Sequence, residues 1–204
     1  MNKKIKQEYG FIKNTIPLSL VNDVKRIITS FNFTWQWVGE IAANLKTEKY
    51  YQFVHVFCHA DSAASDNNNL VVESNYFNDI KPLLYFFEQQ SGYKIKSVRR
   101  IKANLLTRLY LNEEEFRKTF HVDVNPEDVF QPGKKNKKYI SVVYYVIDSD
   151  GDTVLLDNNL KKIASASPVA GNMFWFESTA VHTATPPITN KRRIIINFVL
   201  EVEN

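Results

Sequence analysis

The stretch "TFHVDVNP", Thr119–Pro126, controls how the rest of the chain is read. His121 and Asp123 stand two residues apart and alternate with Val122 and Val124. Side chains two apart on a β-strand share a face, so the histidine and the aspartate project together while the valines line the other side. Two metal-ligand side chain types would then converge on one point. A later histidine in a second strand-rich segment, His182, extends the pattern.

Outward from that stretch, hydrophobic periodicity changes along the chain. From Pro17 to Phe31, Leu18, Val21, Val24, Ile27 and Ile28 recur at spacings of three and four, which predicts an amphipathic helix. A second helix is predicted over Tyr76–Ser91, ending at Gly92 and interrupted by Pro82. Beyond Gly92 come short runs rich in Val, Ile, Tyr and Phe. Strands are predicted near Ser97–Leu111, Phe120–Val124, Tyr139–Ile147, Thr153–Asp157, Asn172–Phe176 and Arg193–Val202. Helices first and strands afterwards imply an α+β domain with helices packed on one face of a β-sandwich or barrel. One domain is expected over 1–204, with helical support over about 1–92 and the β-core over about 93–204. The polar linker Asn125–Lys138 is expected to be a mobile loop beside whatever Asp123 helps to build.

Composition narrows the class. The 204 residues are 44% hydrophobic and 24% charged, which suits a folded globular chain rather than a disordered one. No run approaches the roughly 18–20 apolar residues of a membrane span. The basic start "MNKKIKQEYGF" has no apolar segment behind it, so an intracellular, cytoplasmic protein with no membrane association is expected. Cys58 is the single cysteine and excludes an internal disulfide. The formal charge of +4 permits an acidic partner without requiring one.

Two histidines and one carboxylate from neighbouring strands make the facial triad suited to non-haem Fe(II), which leaves metal positions open for other ligands. The other histidines, His55 and His59 in "HVFCH", lack further ligands at a familiar spacing and read better as residues lining a substrate side. "DSDGDT", Asp148–Thr153, has the wrong glycine spacing for a calcium loop and reads as a hairpin turn on Asp150-Gly151. The lysines 134, 135, 137 and 138 read as a solvated loop.

The order His121-x-Asp123, then His182 in "ESTAVHTATPP", then Arg192 and Arg193 in "NKRRIIINFVL", resembles the 2-oxoglutarate- and Fe(II)-dependent dioxygenases, in particular their prolyl-4-hydroxylase-like branch. "LTRLY", "YISVVYYVIDSDGDTVLLD" and "SPVAGNMFWFES" extend the resemblance over roughly 97–203. It implies a double-stranded β-helix, a jelly-roll or cupin-like barrel, flanked by the N-terminal helices. It also implies Fe(II) on His121, Asp123 and His182, and 2-oxoglutarate with O2 as co-substrates, with ascorbate as an optional reductant. The implied reaction hydroxylates a C–H bond while 2-oxoglutarate becomes succinate and CO2. Tyr110 and Tyr144 are the implied tyrosine contacts to 2-oxoglutarate.

The far carboxylate of 2-oxoglutarate needs a fixed cation, preferably a bidentate one. Arg193 shares strand parity with Ile195 and Asn197, whereas Arg192 falls with the more apolar set Ile194, Ile196 and Phe198, so parity favours Arg193. Ile195 stands where many relatives carry a serine. The resemblance implies a prolyl residue of a protein or peptide as substrate, in a groove edged by 125–138 and 61–75. The alternatives are an oxygenase of a nucleic-acid base or small molecule, and a non-catalytic metal-binding β-sandwich. Little interleaving of basic and aromatic residues is visible, which disfavours nucleic acid.

Overall fold

The computed structural model describes residues 8–39, 51–61, 69–129 and 137–203. In chain order the strands are β1 (Tyr9–Ile12), β2 (Gln36–Val38), β3 (Gln52–Ala60), β4 (Leu70–Val72), β5 (Ile95–Thr107), β6 (Lys138–Tyr145), β7 (Thr153–Leu156), β8 (Lys162–Ala166), β9 (Met173–Glu177), β10 (His182–Ala184) and β11 (Arg192–Val202). The helices are α1 (Leu18–Ile28), α2 (Phe77–Ile80), α3 (Pro82–Ser91), α4 (Glu113–Arg117) and α5 (Pro126–Val129).

The strands form two antiparallel sheets. The major sheet is eight-stranded in the order β1-β9-β6-β11-β5-β3-β2, with β4 on β3, and the minor sheet is β10-β7-β8. Alternation along β11 explains the layering. Ile194, Ile196, Phe198, Leu200 and Val202 face outward into a core shared with Val21, Val24 and Ile28 of α1 and Leu83 and Phe87 of α3. Each such fully buried aliphatic or aromatic side chain contributes about 1.5–3 kcal/mol. Ile195 faces the other way, into a second core with Val143, Tyr145, Phe174, Leu155 and Ala166, and so toward the minor sheet. This is the expected double-stranded β-helix with helices against one face.

The expected N-terminal helices form, with local causes. Pro82 does not kink one long helix but begins α3 at its first position, where its missing N–H costs nothing. Gly92 closes α3 with φ +78°, the left-handed cap that glycine adopts freely. Sequence periodicity missed β1 to β4, β8 and β10. Two expectations need correction. Phe120–Val124 is not a strand: His121 only bridges His182, through N–H to carbonyl bonds of 3.0 and 2.9 Å. The segment after β6 is not a hairpin turn either, because β6 and β7 belong to different sheets. Asp150 instead accepts hydrogen bonds from the backbone of Ile188, Thr189 and Asn190 and so ties two crossover loops together. Residues 130–136 of the expected loop 125–138 and 62–68 of the 61–75 segment lie outside the described residues; α5 and β4 are described parts of them.

Candidate metal and 2-oxoglutarate site

His121, Asp123 and His182 come together, with one donor atom from each lying within 4.8 Å of the others. The bridge between the two histidine backbones sets this convergence, and their rings stand 4.3 Å apart. His121 Nδ1 lies 2.9 Å from the Thr119 carbonyl and His182 Nδ1 lies 3.0 Å from the Ala180 carbonyl. A carbonyl only accepts, so both Nδ1 atoms carry the proton and both Nε2 lone pairs are left for a metal. His182 Nε2 is 3.6 Å from Asp123 Oδ2.

Charge on His182 and Asp123 suits ligation. Burial pulls the His182 pKa down to about 4, helped by His121, so the imidazole is neutral at pH 7. Burial alone would raise the Asp123 carboxyl, but His182, Arg100, His121 and the Ser141 hydroxyl outweigh it and hold the group well below the usual carboxylate range. Arg100 Nη2 donates to Oδ1 at 2.9 Å, while Ser141 Oγ and Asn197 Nδ2 donate to Oδ2 at 2.7 and 3.1 Å. These donors fix the carboxylate orientation, and a neutral-His, ionised-Asp donor set of this kind fits a divalent iron.

The triad lines a cavity of about 60 Å³, room for roughly four waters. Arg193 lines the same cavity and is 2% exposed, whereas Arg192 is exposed. Its Nε donates to the Gly151 carbonyl at 2.7 Å and its Nη2 to Thr153 Oγ1 at 2.6 Å, which locks the guanidinium plane. A Cβ at Gly151 would stand 3.0 Å from Arg193 Cδ and 2.5 Å from the Thr185 carbonyl, so this position accepts only glycine without a backbone shift. The parity reading of β11 and the observed faces agree.

The tyrosines behave differently. Tyr110 is 79% exposed and lies away from the cavity lining. Tyr144 is buried in the outer core with α1 and α3, because on β6 it alternates with Val143 and Tyr145. Its hydroxyl has no partner among the described residues and burial pushes its pKa up. Tyr145 is the tyrosine on the inner face, donating to Thr153 Oγ1 at 2.9 Å with the Arg193 guanidinium 5.9 Å from its ring. Sequence reading also passed over Arg100, Lys102 and Asn104 on β5, Gln52 on β3, Ser141 and Asn197. Parity along β5 groups Arg100, Lys102 and Asn104, but only the pairing of β5 with β11 brings that face to His121, Asp123 and His182.

His55 and His59 do not join the triad. His55 bridges the Thr34 carbonyl and Ser74 Oγ, both at 2.7 Å, and His59 meets Glu73 at 3.2 Å. Both line a separate groove of about 600 Å³. Of the loop lysines that are described, Lys137 and Lys138 pair with Glu201 and Glu8.

Residues 106–200 match the model of the 2OG-Fe(II) oxygenase superfamily, a span that includes the triad and Arg193. No curated protein matches the chain. Among solved structures, a 2OG-Fe(II) oxygenase family oxidoreductase from Burkholderia pseudomallei is 13% identical, with TM-score 0.61, covering 95% of this chain and 85% of its own. A prolyl hydroxylase from Trichoplax adhaerens, solved with a hypoxia inducible factor peptide fragment, is 14% identical with TM-score 0.61, covering 95% and 83%. A Pseudomonas putida prolyl-4-hydroxylase is 13% identical with TM-score 0.52, covering 98% and 95%. At such identities these likenesses establish the fold alone. No helix among the described residues is long and apolar enough to cross a membrane.

Proposed function

The chain is a 2OG-Fe(II) oxygenase across residues 106–200, a dioxygenase family that uses iron and 2-oxoglutarate, and from that premise we propose that it hydroxylates a prolyl residue of a protein or peptide. The observation that carries this reading is the convergence of His121, Asp123 and His182 in a cavity that a buried arginine also lines. His121, Asp123 and His182 hold Fe(II), which when bound supplies the activation of O2 that is coupled to decarboxylation of 2-oxoglutarate. Arg193 takes the far carboxylate of 2-oxoglutarate, its plane preset by Gly151 and Thr153. Arg100, Ser141 and Asn197 keep Asp123 ionised and aimed at the metal. The prolyl assignment rests on likeness to prolyl hydroxylases, one of them solved with a peptide.

A second reading, a small-molecule substrate, has its own support. An alpha ketoglutarate-dependent epimerase from nogalamycin biosynthesis is 11% identical with TM-score 0.58, covering 95% of this chain and 77% of its own. Incubation with Fe(II), 2-oxoglutarate and prolyl peptides, read by succinate formation and by mass spectrometry for a gain of one oxygen, tests both. Succinate without any oxidised peptide favours the small molecule. Neither product, together with no visible absorption band when Fe(II) and 2-oxoglutarate are added without oxygen, overturns the oxygenase assignment.

A further inference from the structure

Lys102 stands in the wall of the same cavity, and nothing in the iron or 2-oxoglutarate chemistry described so far uses it. In the β5–β11 register Lys102 pairs with Asn197, the residue whose amide reaches Asp123. It is therefore level with the metal ligands. Arg193 lies four residues back along β11, about 13 Å at ~3.3 Å per residue. The two cations line one cavity at different levels, and one dianion anchored at Arg193 leaves Lys102 without a counter-ion of its own.

The ammonium of Lys102 has no hydrogen-bond or ion-pair partner among the described residues. Its neighbours in charge are Arg100, which repels it, and Asp123, which is already held by three donors. Burial, reinforced by Arg100, pulls its pKa down to about 8, the signature of a cation set into a wall without a counter-ion. Two buried acceptors lining the same cavity, Asn104 Oδ1 and Asn197 Oδ1, also lack partners among the described residues. With Fe(II) and 2-oxoglutarate in place, the positive charges of iron, Arg100, Lys102 and Arg193 exceed the negative charges of Asp123 and the co-substrate. The cavity is left complementary to one more anion.

Resting on the oxygenase reading above, we propose that Lys102 determines substrate specificity by pairing with a carboxylate carried next to the C–H bond that is oxidised, while Asn104 and Asn197 accept from donors beside it. In a prolyl substrate that carboxylate has two sources: the C-terminal carboxylate of the proline itself, or the side chain of an adjoining acidic residue.

The test uses the full chain loaded with Zn(II), a redox-inert stand-in for iron, and 2-oxoglutarate. Binding is measured by calorimetry or ligand-observed NMR for N-acetylproline against N-acetylprolinamide, and for acetyl-Pro-Asp-amide against acetyl-Pro-Asn-amide, in wild type, Lys102→Met and Lys102→Arg. In wild type one acid is expected to bind about tenfold more tightly than its amide, the scale of one ion pair in a partly buried site. Which pair discriminates identifies the source of the carboxylate. Discrimination is expected to vanish in Lys102→Met and to persist in Lys102→Arg, with 2-oxoglutarate affinity unchanged within about twofold. Equal binding of acids and amides by wild type overturns the proposal. A tenfold loss of 2-oxoglutarate affinity in Lys102→Met also overturns it, by assigning the lysine to the co-substrate. Failure of wild type to bind 2-oxoglutarate at all strikes instead at the oxygenase reading.

Discussion

Replacing Arg193 by Met separates stability from co-substrate binding. The guanidinium is 2% exposed and has no carboxylate within ion-pair distance among the described residues, and burial lowers its pKa. Removing water from such a cation costs several kcal/mol. Its hydrogen bonds to Gly151 and Thr153 return about 1.5–3 kcal/mol each, so the two effects nearly cancel. Arg193→Met should therefore change the stability of the metal- and ligand-free protein by no more than about 2 kcal/mol in either direction. Its effect on 2-oxoglutarate should be far larger. Loss of a bidentate, charge-assisted contact of about 3–5 kcal/mol weakens binding by roughly 10²–10⁴-fold. In the Zn(II)-loaded protein, 2-oxoglutarate at a hundred times its dissociation constant stabilises wild type by about 2.7 kcal/mol. For a chain of this size that is a rise in Tm of about 5–10 °C. Arg193→Met should show about 1 °C or less at the same concentration, while exposed Arg192→Met keeps the full shift. An undiminished shift in Arg193→Met, or a lost one in Arg192→Met, refutes the assignment of Arg193 to the carboxylate.

The two adjacent tyrosines should respond oppositely: Tyr144→Phe removes a buried hydroxyl without a partner and should be neutral or stabilising by up to ~1 kcal/mol, whereas Tyr145→Phe loses its bonds to Thr153 and Ala166 and should cost about 1–2 kcal/mol in denaturant unfolding. Equal losses would contradict the facing of β6. For Lys102 the folded pKa of about 8 lies below its ordinary value of 10.5, so the unfolded chain binds more protons between these values and stability of the metal-free protein rises with pH across that window. The penalty is fully present below pH ~8, so Lys102→Met should be about 1–2 kcal/mol more stable than wild type at pH 7 after allowance for solvent screening, and the gain should disappear by pH ~10.5. A gain that is independent of pH would show that charge burial is not its cause. Burial raises the Cys58 thiol to about 12, so thiol reagents at pH 8 should label the native protein only at its unfolding rate. Rapid stoichiometric labelling would contradict the burial of β3.

Some of this architecture is legible without coordinates because local periodicity carries it. Val21, Val24 and Ile28 mark the buried face of α1 through spacings of three and four, and Gly92 marks the end of α3. Along β11 a period of two separates Arg193, Ile195 and Asn197 from Ile194, Ile196 and Phe198, because the two faces meet different surroundings. Strand β3 resists that reading. It is covered on both faces and carries a bulge between Val56 and Cys58, so "QFVHVFCHA" shows no clean alternation. Tyr144 and Tyr145 are chemically equivalent as letters, and only the register of β6 against β11 says which reaches the inner face.

The sequence by itself determined the kind of site: the residue types His121, Asp123, His182 and Arg193, their order, and the inward parity of the arginine, all of which follow from side-chain chemistry and a period of two. Tertiary structure decided the company they keep. His121 and Asp123 meet His182 through one backbone bridge rather than through a regular strand, and Arg100 and Asn197 converge on Asp123, with Lys102 level with them, only because β5 pairs with β11 in one particular register. Contacts between strands far apart in the chain depend on which edges pair and how they slide, and neither is encoded in any short stretch of residues.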